Sequence, residues 1–124
     1  MNFFKRRKIL KQTNALDLIP IARCGYETGE DGHITVLVPK FRNEKMAKFM
    51  LGRRSRFIYI HLDETGSFTW LQIDGSRSIG EISRLLQEKF GEDFLQSEQR
   101  VNKFMSRLYQ ERYITFRQLE EADS

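Results

Sequence analysis

The chain has 124 residues, a length that predicts one domain and leaves no room for a cofactor domain beside a substrate domain. Hydrophobic residues make up 40% and aromatic residues 12%, with ten Phe, enough apolar surface to close a small core and too much for a disordered chain. The formal net charge is +4, and the one cysteine, Cys24, excludes an internal disulfide framework and, with two histidines, cannot build a structural zinc site without several carboxylates.

The positive excess is local. Residues 1–12 carry Lys5, Arg6, Arg7, Lys8 and Lys11 with no acid, and residues 40–56 carry seven basic residues against Glu44 alone. From Phe57 onward the balance is net −4. The longest apolar run, Ala15–Ala22, is interrupted by Asp17 and Pro20, so nothing approaches the roughly 18 apolar residues of a membrane span. Met1–Lys8 resembles the basic start of a signal peptide, but Lys11, Gln12, Asn14 and Asp17 leave no hydrophobic region behind it. A cytoplasmic protein is expected.

In chain order, residues 1–20 read as a basic arm. From Ala22 to Val38 the pattern is that of a β-hairpin, with Tyr26 and Thr28 before Gly29-Glu30-Asp31-Gly32 and then Ile34, Val36 and Val38 alternating with Thr35 and Leu37. Asp31-Gly32 favours positive φ at the turn, and Pro39 ends the second strand because it has no N–H to donate. Residues 40–56 form a basic insert, whose Met46, Phe49, Met50 and Leu51 suit an amphipathic helix or a cover for the sheet. A third strand, Phe57–Leu62, alternates Phe57, Tyr59 and His61 with Ile58, Ile60 and Leu62, and its aliphatic face is expected to cover the core.

Three helical patterns follow. The first runs from Asp63 or Glu64 to Ile73, with Asp63 as N-cap, Trp70, Leu71 and Ile73 as core and Gly75 as terminator. The second opens on the capping-box order Ser78-Ile79-Gly80-Glu81, presents Ile79, Ile82, Leu85, Leu86 and Phe90 on one face and stops at Gly91. The third, near Ser97 to Arg112, places Val101, Phe104, Met105 and Leu108 at i, i+3, i+4 and i+7, a buried stripe. Tyr113–Phe116 reads as a short closing strand and Leu119–Ser124 as a frayed acidic tail. The folded domain is thus expected over residues 21–118, of α+β class.

The order Leu62-Asp63-Glu64-Thr65-Gly66, Trp70-Leu71, Ile73-Asp74-Gly75, Arg77-Ser78-Ile79 and Glu81-Ile82, continuing through Leu85, Phe90, Val101, Phe104 and Leu108 to Tyr113-Ile114, resembles the core of PqqD-like proteins. These are small proteins associated with pyrroloquinoline quinone biosynthesis. The resemblance implies a winged-helix-like module, a three-stranded antiparallel sheet packed on three helices. It also implies a peptide recognition element without catalytic activity, which binds the leader of a ribosomally made precursor and presents it to a modifying enzyme, often a radical SAM enzyme. In that family the leader adds as an extra strand to the third strand, beside the third helix. Carried onto this chain, the strand side is Phe57, Ile58, Tyr59, Ile60 and His61. On the third helix, the stripe containing Phe104 and Leu108 has two flanks, one with Arg100, Arg107 and Glu111 and the other with Glu98, Asn102 and Tyr109. The first is preferred because two arginines can pair with acidic leader residues.

Strand addition suits the residues, since an edge strand offers backbone groups to any extended peptide while alternate side chains select among sequences. The same edge would allow an empty protein to pair with a second copy. Three features depart from the family pattern: the arm, the basic insert, and Arg112, which stands where a glycine commonly precedes the closing apolar pair. A winged-helix DNA regulator is the alternative. Its reading helix would carry only +2 in a net-acidic half of the chain, where duplex binders surround that helix with positive charge, so nucleic acid is disfavoured as a partner. Catalysis and cofactor binding find little footing. Adjacent Asp63 and Glu64 point in different directions, His33 and His61 have no motif partner, Cys24 reads as an inert strand residue, and no glycine-rich phosphate loop follows a strand.

Overall fold

The computed structural model describes residues 3–40, 45, 49 and 56–123; most of the basic insert expected at 40–56 lies outside the described residues. The chain forms two compact units, Cys24–Ser67 on the one hand and Met1–Arg23 with Phe68–Ser124 on the other.

In the unit Cys24–Ser67, short-range turn chemistry sets the hairpin. Asp31 Oδ1 accepts from the His33 N–H at 2.9 Å, Gly32 takes φ 83°, and the Gly29 N–H closes the turn on the His33 carbonyl at 2.9 Å. Positive φ at Gly32 is the conformation that a side chain would resist. Strands β2 (Gly25–Thr28) and β3 (Ile34–Pro39) pair in antiparallel register, Tyr26 opposite Val36, and β4 (Phe57–His61) joins on the other side of β3, Ile60 opposite Val36. The result is an α+β fold with a three-stranded antiparallel sheet of order β2-β3-β4. Pro39 is the last residue of β3, as expected, and its missing N–H falls on the β2 side, beyond the point where β2 has begun at Gly25. A buried Ser67 locks this unit, its hydroxyl accepting from the Ile34 N–H at 2.8 Å and donating to the Leu62 carbonyl at 3.3 Å.

Alternation puts Ile34, Val36, Val38, Ile58, Ile60 and Leu62 on one face, because residues opposite each other in an antiparallel pair share a side. That face covers a core only in part. Ile34 and Val36 are fully buried and Ile60 half-buried, but Ile58 is 48% exposed. The expectation of an aliphatic strand face covering the core therefore fails at Ile58, where burial runs out toward the Pro39 end of the sheet.

The helix α2 (Glu64–Leu71) starts where expected: Asp63 Oδ1 accepts from the Gly66 N–H at 2.8 Å. It ends earlier than expected. Trp70 is buried at 2% exposure, but Leu71, the last residue of the helix, is 46% exposed and lies outside the core. Gly75, at φ 79°, serves instead in the turn Asp74–Arg77, where Asp74 Oδ1 accepts from the N–H groups of Arg77 (2.8 Å) and Ser76 (2.9 Å).

In the unit Met1–Arg23 with Phe68–Ser124, α3 (Ile79–Phe90) carries the full capping box between Ser78 and Glu81, buries Ile79, Ile82 and Leu86, and ends at Gly91 with φ 69°. The helix α4 (Phe94–Gln110) begins three residues before the expected start, is capped by Asp93, and buries Ser97, Val101, Met105 and Leu108. Its end is a Schellman turn: the Tyr113 N–H reaches the Leu108 carbonyl (2.9 Å) and the Arg112 N–H the Tyr109 carbonyl (3.0 Å). Arg112 occupies the glycine position of that turn, with φ 66°. The turn survives without a glycine.

The strand β5 (Ile114–Phe116) is fully buried and pairs with β1 (Pro20–Ala22), Pro20 opposite Phe116. Residues from the expected arm thus complete this unit. The Leu18 carbonyl accepts from the Ile79 N–H at 2.8 Å and the Ile19 carbonyl from the Arg117 N–H at 2.8 Å, while Gln118 bonds both the Ile19 N–H and the Asp17 carbonyl. Upstream, α1 (Phe3–Gln12) buries no residue. The acidic tail expected to fray is a helix, α5 (Arg117–Asp123), with Leu119 buried at 3% exposure and Arg117 Nε donating to the Gly75 carbonyl at 2.9 Å.

Candidate functional site

The candidate site begins with β4, which stands last in the sheet order among the described residues. Its register decides which backbone groups face which way. The Leu62 N–H donates to the Ile34 carbonyl and the Lys40 N–H to the Arg56 carbonyl. Antiparallel hydrogen-bonded pairs recur every second residue, so Ile58 and Ile60 bond to Val38 and Val36. The N–H and C=O groups of Phe57, Tyr59 and His61 consequently point away from β3. Phe57 and Tyr59 also take part in further interactions.

The side chains alternate independently of the backbone groups. Phe57, Tyr59 and His61 form a row on one face at a spacing of about 7 Å, opposite Pro39, Leu37 and Thr35. Tyr59 is 47% exposed and Phe57 37%, and His61 Nδ1 lies 2.9 Å from Thr35 Oγ1. Together with Ile58, 48% exposed, the strand presents three large apolar side chains to water. It carries no Asp, Glu, Lys or Arg.

The helix residues singled out from the sequence lie on α4, in the other unit. Arg100, Phe104 and Arg107 follow one another at i, i+4 and i+7 and share one face. Arg107 is exposed; Arg100 is exposed and its guanidinium is ion-paired with Glu92; Phe104 is half-buried. Leu108 is buried with Val101 and Met105 and holds a core position. The other flank is less open: Glu98, Asn102 and Tyr109 are half-buried, and the Tyr109 ring lies against Phe116 with centroids 5.2 Å apart.

The groups considered for catalysis have local partners. The Asp63 carboxylate caps α2, and His33 Nδ1 sits 3.4 Å from Asp31 within the hairpin turn. Sequence reasoning found the strand and the helix face but not the direction of the β4 backbone groups. That direction depends on register with a partner strand, and the Lys40–Arg56 bond that fixes it spans the insert.

No curated protein and no solved structure matches the chain. The sequence profile of the family described as coenzyme PQQ synthesis protein D (PqqD) matches residues 53–114, half of the chain and the span from just before β4 to the start of β5. With the order of motifs from Leu62 to Ile114 and the strand and helices they form, this match means that the chain belongs to the PqqD family of biosynthetic accessory proteins.

Proposed function

We propose that this protein is a non-catalytic peptide carrier: it captures the leader of a ribosomally made precursor as an added strand on the outer side of β4 and presents it to a modifying enzyme of the radical SAM type. The observation that carries the reading is the strand β4 itself, last in the sheet order among the described residues and with side chains that are largely exposed. An extended peptide supplies the complementary N–H and C=O groups with little demand on its sequence. Selectivity then comes from alternate side chains, apolar ones against the Phe57–Tyr59 row and against Ile58. When empty, the same side of β4 can accept a second copy of the chain. A part in coenzyme PQQ synthesis, which the family description names, fits a carrier, although the client of this chain need not be the quinone precursor.

Proline scanning along β4 tests the reading. Tyr59→Pro removes an N–H that points away from β3 and leaves the β3–β4 ladder intact, a placement that edge strands tolerate. Capture of synthetic peptides corresponding to short reading frames beside the gene, measured by calorimetry, should be lost while circular dichroism stays native. Ile60→Pro breaks the ladder to Val36 and should unfold the sheet instead. A folded Tyr59→Pro protein that binds its peptide with unchanged affinity would exclude strand addition.

A further inference from the structure

The helix α1 carries five cations and no acid over Phe3–Gln12, and burial sorts them by direction. Ile9, Leu10 and Thr13 are half-buried and, at 100° per residue, fall on one side, which marks that side as inward. Arg6 lies on the same side and lines a cleft with Arg23, Thr115, Leu119, Glu120 and Asp123. Lys5 Nζ donates to the Ala122 carbonyl at 3.3 Å. The opposite side is centred on Phe4, with Arg7 and Lys11 to one hand of it and Lys8 to the other. Phe4 is 78% exposed and its neighbour Phe3 62%, the two rings edge to face with centroids 5.7 Å apart.

We infer that this outward side of α1 docks the protein on an anionic phospholipid surface. A phenyl ring in water is unfavourable in proportion to its exposed area, and the more exposed of these two rings, Phe4, is flanked by cations instead of being covered. Phosphates alone, as on a nucleic acid duplex, engage the cations and leave Phe4 in water. An anionic lipid interface satisfies both groups: the ring enters the boundary between headgroups and acyl chains, and Arg7, Lys8 and Lys11 meet the lipid phosphates. One short helix gives weak, reversible docking. The inference is independent of the peptide-carrier reading, since it uses no residue of β4 or α4.

Flotation of the full chain with phosphatidylcholine vesicles, with and without phosphatidylserine as about a third of the lipid, tests it. The protein should float with the anionic vesicles only and be released as salt rises. Each of Arg7→Gln, Lys8→Gln and Lys11→Gln should weaken partitioning about fivefold, and Phe4→Ala about tenfold at unchanged charge, with circular dichroism confirming that the fold is kept. No flotation with anionic vesicles would overturn the inference. Equal flotation of wild type and Phe4→Ala would do so too, as adhesion by charge alone. Tighter binding of a DNA duplex than of anionic vesicles, lost on the same glutamine substitutions and indifferent to Phe4→Ala, would assign the surface to nucleic acid instead.

Discussion

Arg112 closes α4 in a conformation that only glycine adopts without strain, so replacing it should strengthen the fold. An L-residue in the left-handed region carries about 1–2 kcal/mol of steric cost. Arg112→Gly removes that cost and adds about 0.5–1 kcal/mol of chain entropy in the unfolded state. It also loses a positive charge at a helix C-terminus, worth about 0.3 kcal/mol at an exposed site. The balance is a gain of up to about 1 kcal/mol, or a rise in melting temperature of about 2–5 °C for a chain of this size. Arg112→Ala supplies the control, because it loses the same charge and keeps the strained φ. Thermal unfolding followed by far-UV circular dichroism should place the glycine variant about 1 kcal/mol above the alanine variant. If the two variants melt together, or if glycine is the weaker, the left-handed turn at Arg112 is not the source of strain and the Schellman assignment loses its energetic basis.

Two further predictions address the chain's ends and its acid sensitivity. Leu119→Ala should cost about 2–3 kcal/mol in urea unfolding, since the side chain is almost wholly buried; a loss below about 0.5 kcal/mol would return α5 to the status of a frayed tail. The N–H groups of Arg77 and then Ser76 hold the Asp74 carboxyl below the usual carboxylate range, with the Arg77 guanidinium adding to the effect. A depressed carboxylate contributes stability that is present above its unfolded value, about pH 3.9, and is lost as pH falls through its lower folded value. The difference in urea midpoint between wild type and Asp74→Asn should therefore be constant near neutrality and shrink below about pH 4; a gap that persists at the lowest pH would contradict this.

The parts of the fold legible in the sequence are those encoded by neighbours. The capping box at Ser78 and Glu81, the Asp31-Gly32 turn and the Val101–Met105–Leu108 stripe are read from residues no more than seven apart, and the structure keeps them. What was missed spans the chain. Pairing of Pro20–Ala22 with Ile114–Phe116 joins segments almost a hundred residues apart, and no local pattern announces a three-residue strand. The buried role of Leu119 comes with it, because Gln118 and Arg117 fix α5 through bonds to Asp17, Ile19 and Gly75. Alternation assigned Ile58 to the aliphatic face correctly, but alternation does not say how far the cover over that face extends. For the candidate site, the family resemblance pointed to β4 and the third helix, and the charge of two arginines to the Arg100–Arg107 flank, whereas the outward direction of the Tyr59 amide required the register with β3.

The central claim is that a leader peptide becomes the next strand of the sheet. Intermolecular nuclear Overhauser effects between an unlabelled peptide and isotope-labelled protein test it most directly. Strand addition predicts contacts from peptide backbone protons to the backbone protons of Phe57, Tyr59 and His61, with the amides of Ile58 and Ile60 retaining their bonds to β3. A bound peptide whose backbone contacts none of those three residues, touching the protein only through side chains, would contradict the account.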